Sequence, residues 1–279
     1  MRIGFIGAGR VGYTMGKYLK TKGLDIAGYY SRTMEHAADA AEFTDTRYFS
    51  NAVDLINECD AVFITVSDNA IKPVFDEIKH LREIDGRIIC HTSGALSSEI
   101  FEDSPYQVYG YSIHPMYAVS DKYTSYLNFS NAFITIEGHP LHLDEMVEYF
   151  RTAGLSTGSI STFSKSKYHA ACAIASNLVC GIYGFSQRIL TECGMDEELS
   201  DKALKGLFRD NAIGITEKGV TAQLTGPLER NDTGTVEKHM AVLEGEDREL
   251  YKRCSKEVLN IAKKKHEDID YSDMENILR

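Results

Sequence analysis

The hydrophobic positions of residues 1–160 form short runs that alternate with helical patterns. Runs such as IGFI and AVFITV are rich in β-branched and aromatic residues, and helical segments separate them. This alternation is typical of repeated β-α-β units and predicts an α/β domain with a doubly wound, mainly parallel sheet. Strands are predicted at residues 2–6, 25–30, 61–66, 87–91, 107–112 and 132–137, with a weaker one near 157.

Beyond residue 161 the remaining patterns are helical. Apolar residues recur there at the spacing of a helix face, without the two-residue alternation of strands. Helices are predicted at residues 164–190, 196–218, 233–243 and 247–265, with a short one from 272. The change of architecture predicts an α/β domain at residues 1–160 and an all-α domain at residues 161–279.

A glycine-rich loop follows the first predicted strand. The run IGFIGAGRVG places Gly7, Gly9 and Gly12 in the GxGxxG spacing between a strand and a helix. These glycines permit a tight turn, close approach of the backbone to a pyrophosphate, and close packing of helix on strand. The loop therefore predicts a Rossmann-like dinucleotide site whose contacts include Gly7, Ala8, Gly9, Arg10, Val11 and Gly12.

The end of the second predicted strand bears on which dinucleotide binds. An NAD site usually has Asp or Glu there, whereas this chain reads GYYSRT and offers Ser31, Arg32 and Thr33. An arginine and two hydroxyls suit a 2′-phosphate, so NADP(H) is the predicted cofactor, although Arg32 could also be an ordinary surface residue. After the third long strand, Val66 and Ser67 are predicted to pass close to the nicotinamide ribose.

Two further loops follow strands at the same predicted edge of the sheet. They are CHTSGALSS and SIHPMYAV, which bring His91, Ser93 and His114 to the edge where open α/β sheets bind ligands. Ser93 is predicted to contact both cofactor and substrate. Each histidine could instead be a satisfied structural group, since buried histidines at strand ends commonly are.

The second predicted domain adds polar residues in unusual settings. The apolar helix at 164–190 contains His169 and Asn177, which lie on nearly the same face, with Lys167 close by. The later run TGPLERNDTGTV contains Arg230, which suits a substrate carboxylate. Asp232 in the same run is a candidate substrate contact, and either it or Thr233 is placed to cap the following helix.

The composition of the chain limits the classes of molecule that it is expected to bind. A net charge of −11 argues against an electrostatic grip on nucleic acid or on an anionic membrane. No apolar run is expected to be long enough for a membrane span, and a strand that begins near Met1 is expected to leave no room for a signal peptide. Six cysteines without metal-ligand spacing suggest buried thiols in a reducing cytoplasm.

Five motifs give the chain a family resemblance: GFIGAGRVG, HTSGAL, SIHPMYAV, YHAACAIASN and TGPLERNDTGTV. The chain resembles a family of predicted NADP-binding oxidoreductases, with a Rossmann-like domain followed by a helical domain of unknown function. Its wider relatives by similar layout are ketopantoate reductase, the β-hydroxyacid and six-phosphogluconate dehydrogenases, pyrroline-carboxylate reductase and prephenate dehydrogenase.

The resemblance also implies roles for particular residues. Ketopantoate reductase and the β-hydroxyacid dehydrogenases carry Lys-x-x-x-Asn on the helix that opens their second domain, but matching Asn177 to that asparagine places Ala173 at the lysine position. The proton donor is therefore expected to be His114 or His169, with Lys167 as a further candidate. The loop SIHPMYAV is similar to the His-Pro loop of prephenate dehydrogenases, which supports His114.

These observations predict an enzyme that passes a hydride between NADPH and a small 2-oxo acid. Ketopantoate is favoured by analogy of fold, and reduction of a cyclic imine, a prephenate-type dehydrogenase and a non-enzymatic NADP(H)-sensing regulator are the alternatives. A stripe of small residues also predicts close packing, and relatives suggest a homodimer; the stripe is Ala173, Ser176, Cys180, Gly181 and Gly184.

Overall fold

An eight-stranded sheet organises the first part of the chain. The computed structural model describes residues 1–279, which divide into two compact units, Met1–Val179 and Cys180–Arg279. The strands of the first unit are β1 (Ile3–Ile6), β2 (Ile26–Tyr30), β3 (Arg47–Tyr48), β4 (Ala61–Ile64), β5 (Arg87–His91), β6 (Val108–Met116), β7 (Phe133–Gly138) and β8 (Ser156–Ser159).

The strand order is β3-β2-β1-β4-β5-β6-β7-β8. All neighbouring strands are parallel except β6 and β7, which pair antiparallel, with His114 opposite Thr135. Five helices connect these strands: α1 (Arg10–Thr21), α2 (Met34–Thr44), α3 (Ala52–Asn57), α4 (Asp68–Ile78) and α5 (Leu143–Thr152). A sixth, α6 (Lys165–Ala175), follows β8. The predicted doubly wound, mainly parallel fold is confirmed.

Both faces of the sheet are covered. One face packs against α1, α2 and α5 around Phe5, Leu19 and Phe150, and the other packs against α3 and α4 around Leu55 and Phe75. All four residues of β1 and of β4 are buried. Strands buried on both faces have continuous apolar runs, which is why IGFI and AVFI lack a polar alternation.

The remaining helices are α7 (Asn177–Glu192), α8 (Glu197–Lys218), α9 (Val220–Gln223), α10 (Thr233–Val242), α11 (Gly245–Lys265) and α12 (Ser272–Ile277). The division between the units falls inside α7. In the second unit α10, α11 and α12 enclose an apolar core that includes Val236, Leu259 and Met274. By contrast, α7 has no buried residue.

Most predicted strands match the structure, but two differ instructively. The two-residue β3 was missed because so short a strand has no periodicity. The structure extends β6 to Met116, four residues beyond the predicted end, because its antiparallel partner β7 continues the hydrogen-bonded ladder past the end of β5. The extension adds His114 to a strand rather than to a loop.

The helix predicted at 164–190 is interrupted at Ser176. Its hydroxyl donates to the carbonyl of Cys172, 2.7 Å away, and this kind of back-bonding bends helices. The predicted domain boundary at residue 160 coincides with the end of β8, whereas α6 belongs to the compact unit of the sheet and the units divide 19 residues later.

Two expectations from composition need correction. By length and composition alone, Thr162–Glu192 is apolar enough to cross a membrane, although one such helix is weak evidence. Among the cysteines, Cys59 and Cys90 are buried, as expected, but Cys193 and Cys254 are exposed. Burial raises the pKa of the Cys59 thiol to about 12, so it stays protonated near neutrality.

The packing around α1 predicts that a side chain at Gly16 destabilises the chain. A β-carbon at Gly16 would lie 1.8 Å from the Tyr29 hydroxyl, which donates to the Gly12 carbonyl. Gly16→Ala should therefore destabilise the chain by about 1–3 kcal/mol, the cost of displacing a buried hydrogen-bonding group. Thermal and denaturant unfolding would measure the change.

Gly234→Ala is the matched control, because a β-carbon there would have its nearest neighbour at 3.9 Å. The gain in helix propensity should leave stability unchanged or raise it by up to about 1 kcal/mol. Equal destabilisation by both substitutions would contradict the packing described for α1.

Candidate active site

The glycine-rich loop fits closely against the end of β4. Gly7 has φ of +97°, a left-handed conformation that favours glycine. A β-carbon at Gly9 would lie 2.7 Å from the Thr65 carbonyl oxygen, and one at Gly12 would lie 2.5 Å from the Thr65 hydroxyl. The loop therefore needs glycine at all three positions, and it leads directly into α1, whose N-terminal N–H groups attract phosphate.

A cavity of about 510 Å³ opens beside this loop. Most of the predicted cofactor contacts line it: Gly7, Ala8, Gly9, Ser31, Arg32, Thr33, Val66 and Ser67. The others, Arg10, Val11 and Gly12, begin α1. The side chain of Arg32 is exposed and makes no ion pair within the chain, so its guanidinium is available to a phosphate. These residues fit a dinucleotide that carries a 2′-phosphate.

His91 is buried and held by its own loop. Its Nδ1 accepts from the backbone N–H of Ser93 at 3.1 Å, and its Nε2 lies 3.2 Å from the carbonyl of Ser97. Burial lowers its pKa to about 4, which keeps the ring neutral. Both ring nitrogens are thus occupied, and this arrangement favours a structural role over the predicted contact with substrate.

Ser93 links the cofactor side of the sheet to this loop. Its hydroxyl donates to the carboxylate of Asp68 at 2.8 Å and accepts from the N–H groups of Ala95 and Leu96. Asp68 is the first residue of α4, just after Val66 and Ser67. Ser93 therefore lies one hydrogen bond away from Asp68, which follows the segment that lines the predicted cofactor cavity, and its contacts with cofactor and substrate stay predictions.

His114 forms a pair with a tyrosine that the sequence reading missed. On β6, its Nδ1 lies 2.7 Å from the hydroxyl of Tyr168 on α6. Burial, with the nearby positive charge of Lys165 as the second cause, lowers the His114 pKa to about 4. Burial also raises the pKa of Tyr168, so both groups are neutral near pH 7.

A second cavity, of about 430 Å³, opens on the other side of His114. Its lining includes His169, Ala173 and Asn177 together with Cys172, Ala175 and Ser176, so the three residues border one cavity despite the break at Ser176. The rings of His114 and His169 lie 6.1 Å apart. Gly94 lets its loop approach both, because a β-carbon there would lie 2.8 Å from His114 Nε2.

The lysine inside the site is not the predicted one. Lys167 is exposed on α6, whereas Lys165 is only 2% exposed. The Lys165 ammonium donates to the hydroxyl of Ser112 at 2.5 Å, and Ser112 donates to the carbonyl of Ser93. Burial lowers the pKa of Lys165 to about 8, so the amine is mostly charged at pH 7.

Two of the predicted substrate contacts lie in the second unit. Asp232 caps α10, since its carboxylate accepts from the N–H of Thr235 at 3.0 Å. This confirms its capping role. The Thr235 hydroxyl, which also donates to this carboxylate, is the main cause of the lowered Asp232 pKa, and the backbone N–H adds to it. The Arg230 side chain is exposed and makes no ion pair. Contact of either residue with substrate stays a prediction.

Sequence reasoning missed Asp68, Lys165 and Tyr168. A signal for the last two was present, because Lys165, Tyr168, His169 and Cys172 follow the spacing of one helix face. Matching Asn177 to the family asparagine placed Ala173 at the lysine position, although two further steps of four reach His169 and then Lys165 rather than Lys167. The residues of α6 that meet the sheet, Lys165 and Tyr168, lie nearer the N-terminus of the helix than Ala173 does.

Comparison with known proteins agrees with the two-part organisation. Residues 2–90 match the family described as NADP oxidoreductase coenzyme F420-dependent, and residues 132–258 match a domain of unknown function, DUF2520. The chain thus joins an NADP oxidoreductase domain to a DUF2520 domain. This confirms the predicted family and NADP(H) as its cofactor. No curated protein matches the chain significantly.

Solved structures share the fold over almost the whole chain. Protein TM1727 from Thermotoga maritima is 25% identical, with a TM-score of 0.76, and the match covers 95% of this chain and 99% of that one. A pyrroline-5-carboxylate reductase from Coxiella burnetii is 16% identical, with a TM-score of 0.61 and coverage of 94% and 97%.

An imine reductase from Myxococcus stipitatus, solved with NADP⁺, is 13% identical, with a TM-score of 0.56 and full coverage of both chains. At these identities the two reductases show the fold alone. The chain is an NADP-dependent oxidoreductase by class, and none of the structures named here is a ketopantoate reductase.

The cofactor cavity predicts a specific role for Arg32. Arg32→Ala should weaken NADPH binding about 10–100-fold, the loss of one or two charge-assisted hydrogen bonds, while NADH binding changes little. Titration calorimetry with both dinucleotides would measure the difference. Arg82→Ala, in a turn that does not line the cavity, is the control, and equal weakening for NADPH and NADH would contradict recognition of the 2′-phosphate.

Proposed function

We propose that this chain uses NADPH to reduce the carbonyl group of a small 2-oxo acid. The observation that carries the proposal is the His114–Tyr168 pair at the carboxyl edge of the sheet, where His114 lines a cavity. Ser112, on the same strand as His114, donates to the carbonyl of Ser93, and the Ser93 hydroxyl donates to Asp68, which directly follows the segment that lines the cofactor cavity. The glycine-rich loop and Arg32 would hold the cofactor, which supplies a hydride to the substrate carbon when bound.

The chain's own residues supply the proton and orient the substrate. A Tyr168 hydroxyl that donates to Nδ1 of His114 leaves the proton on Nε2, where it can be donated to the substrate oxygen. His169 and Asn177 line the same cavity and would hold the substrate through polar contacts. Arg230 is proposed to bind the carboxylate.

Electrostatics favour a carbonyl over an iminium substrate. The Lys165 charge lowers the pKa of both His91 and His114, so the surroundings of these rings disfavour an added positive charge. A positive potential instead stabilises the negative charge that develops on a carbonyl oxygen during hydride transfer. Asp68 opposes this effect but is exposed at the start of α4.

Imine reduction is the second candidate. A pyrroline-5-carboxylate reductase and an imine reductase share the fold over more than nine-tenths of this chain. An iminium cation would be stabilised by Asp68 rather than by Lys165. Comparing carbonyl with imine substrates in one assay separates the two proposals.

We also propose that two copies associate through α7 and α8. These helices expose Ile182, Leu207 and Phe208, and no atom approaches within 4 Å of a β-carbon built at Gly181 or Gly184. Helices of 16 and 22 residues side by side present on the order of 600 Å², comparable with the roughly 800 Å² per partner of a stable interface.

The charges beside this face favour a second copy over lipid. Arg209 and Asp210 adjoin Phe208, and α8 carries both acidic and basic residues, so the face can pair with its own copy. Because Lys165 and His169 also lie within Thr162–Glu192, a lipid-spanning helix would bury both in hydrocarbon. A cytoplasmic location is proposed on the same ground.

Turnover of a substrate panel tests the function. Purified protein should oxidise NADPH with a 2-oxo acid, ketopantoate being the first to try, and not with pyrroline-carboxylate. Turnover with imines alone would establish the second candidate. NADPH binding without turnover of any compound would overturn both and leave the non-enzymatic regulator.

His114→Ala should lower kcat about 10²–10⁴-fold, the usual contribution of a positioned acid, while the Kd for NADPH stays unchanged. Steady-state kinetics and calorimetry would separate the two effects. His80→Ala, at an exposed histidine outside the described cavities, is the control. Full activity in His114→Ala would remove this residue from the mechanism.

Light scattering should give twice the chain mass of 31.2 kDa. Leu207→Lys, at a side chain that is 72% exposed, should yield monomers because it places a charge in the apolar contact. Val242→Lys, at an equally exposed position on α10, is the control. A monomeric wild type, or binding to lipid vesicles that Leu207→Lys abolishes, would contradict the dimer.

A further inference from the structure

A buried lysine without a carboxylate partner lies next to the proposed proton donor. The ammonium of Lys165 lies 5.5 Å from the centre of the Tyr168 ring, and its only hydrogen-bond partner in the chain is Ser112. Fully buried lysines are rare unless they are paired, because loss of hydration disfavours the charge. The position of Lys165 therefore calls for a functional explanation.

The nearby carboxylates are committed to other groups. Glu137 accepts from the hydroxyls of Ser98 and Thr162, and Asp68 accepts from Ser93. Both act on Lys165 only through space. The titratable groups that interact with Lys165 through space from the elements packed against it are Asp68, His91, His114, Glu137 and Cys172, and the ring of Tyr168 lies beside its ammonium.

We propose that Lys165 is a positioning residue for proton delivery: its ammonium fixes Ser112 and stabilises negative charge on Tyr168 while the His114–Tyr168 pair protonates the substrate oxygen. The inference rests on the proposed function. Its geometric basis is the arrangement of β6 and α6, where Ser112 and His114 share one face of the strand and Lys165 and Tyr168 share one face of the helix.

The proton transfers balance as follows. The N–H bond at Nε2 of His114 breaks, and an O–H bond forms on the reduced substrate. The O–H bond of Tyr168 breaks, and an N–H bond forms at Nδ1 of His114, so the imidazole stays neutral and the phenol becomes a phenolate. To restore the pair, the N–H bond at Nδ1 breaks and its proton returns to the phenolate, while a water molecule gives a proton to Nε2 of His114 and leaves as hydroxide for the bulk solvent. Lys165 keeps its proton throughout.

Lys165 also affects His114 directly. A nearby ammonium disfavours a second positive charge, and it is the second largest cause of the lowered His114 pKa after burial. Since that pKa is about 4, His114 remains neutral from pH 7 down to that value. Removing the lysine charge should raise the His114 pKa towards its ordinary value of 6.5, so that the acid limb of activity moves to higher pH.

Three variants separate charge from packing. Lys165→Met keeps the length and removes the charge, Lys165→Arg keeps the charge, and Ser112→Ala removes the hydrogen-bond acceptor alone. NMR titration of the histidine Cε1–H signals, with His114 assigned by its loss in His114→Ala, gives its pKa without turnover. Lys165→Gln replaces the Met variant if that protein does not fold.

Lys165→Met should raise the pKa of His114 and lower kcat at least about tenfold with unchanged Kd for NADPH, as expected when a phenolate loses its stabilising charge. Lys165→Arg should restore both values in large part, and Ser112→Ala should leave the His114 pKa nearly unchanged. These results would support the proposed role.

An unchanged His114 pKa in Lys165→Met would overturn the inference, whatever the activity of that variant. A Lys165→Met protein with a lower melting temperature but unchanged kcat and pH profile would overturn it as well. A raised His114 pKa in a protein that reduces no substrate would overturn the proposed function instead. The two failures are therefore distinguishable.

Discussion

The antiparallel pairing of β6 with β7 is the constraint on which the candidate site depends. Parallel pairing of β6 with β5 ends at Ser112, but β7 pairs with β6 as far as Met116. The last four residues of β6 therefore extend beyond the end of β5. Ser112 and His114 consequently point to one side, where α6 meets them with Lys165 and Tyr168. With a strand that ended at Ser112, His114 would belong to a loop and its orientation would not be fixed.

Burial has different consequences for the polar groups of this site. His91 satisfies both ring nitrogens within its loop, so its burial stabilises the turn that carries Ser93. Lys165 has one hydroxyl partner, and its lowered pKa shows that the fold disfavours its charge. A buried charge that the fold disfavours is typical of a functional position, whereas a buried polar group with all its hydrogen bonds made is typical of a structural one.

The sequence predicted most of the fold because its signals were local. The loop of Gly7, Gly9 and Gly12 fixes the turn after β1, and runs such as AVFI identify buried strands without reference to the rest of the chain. The site was less predictable, because the His114–Tyr168 pair joins residues 54 positions apart. Which face of α6 meets the sheet depends on the extension of β6, and no periodicity within the helix reveals it.

The position of Lys165 also bears on which residue would donate the proton in the proposed reaction. In the Lys-x-x-x-Asn arrangement of the wider relatives, one helix supplies both the lysine and the asparagine, four residues apart. Here Asn177 lines the cavity, Ala173 occupies the place one turn before it, and the buried lysine is Lys165, two turns further towards the N-terminus of α6. At that distance Lys165 meets Ser112 and Tyr168 rather than the cavity, so in the proposed reaction its charge would act on substrate through the groups it contacts. The direct proton contact would then fall to His114, whose burial and neutrality suit donation to a basic alkoxide and disfavour storage of a positive charge.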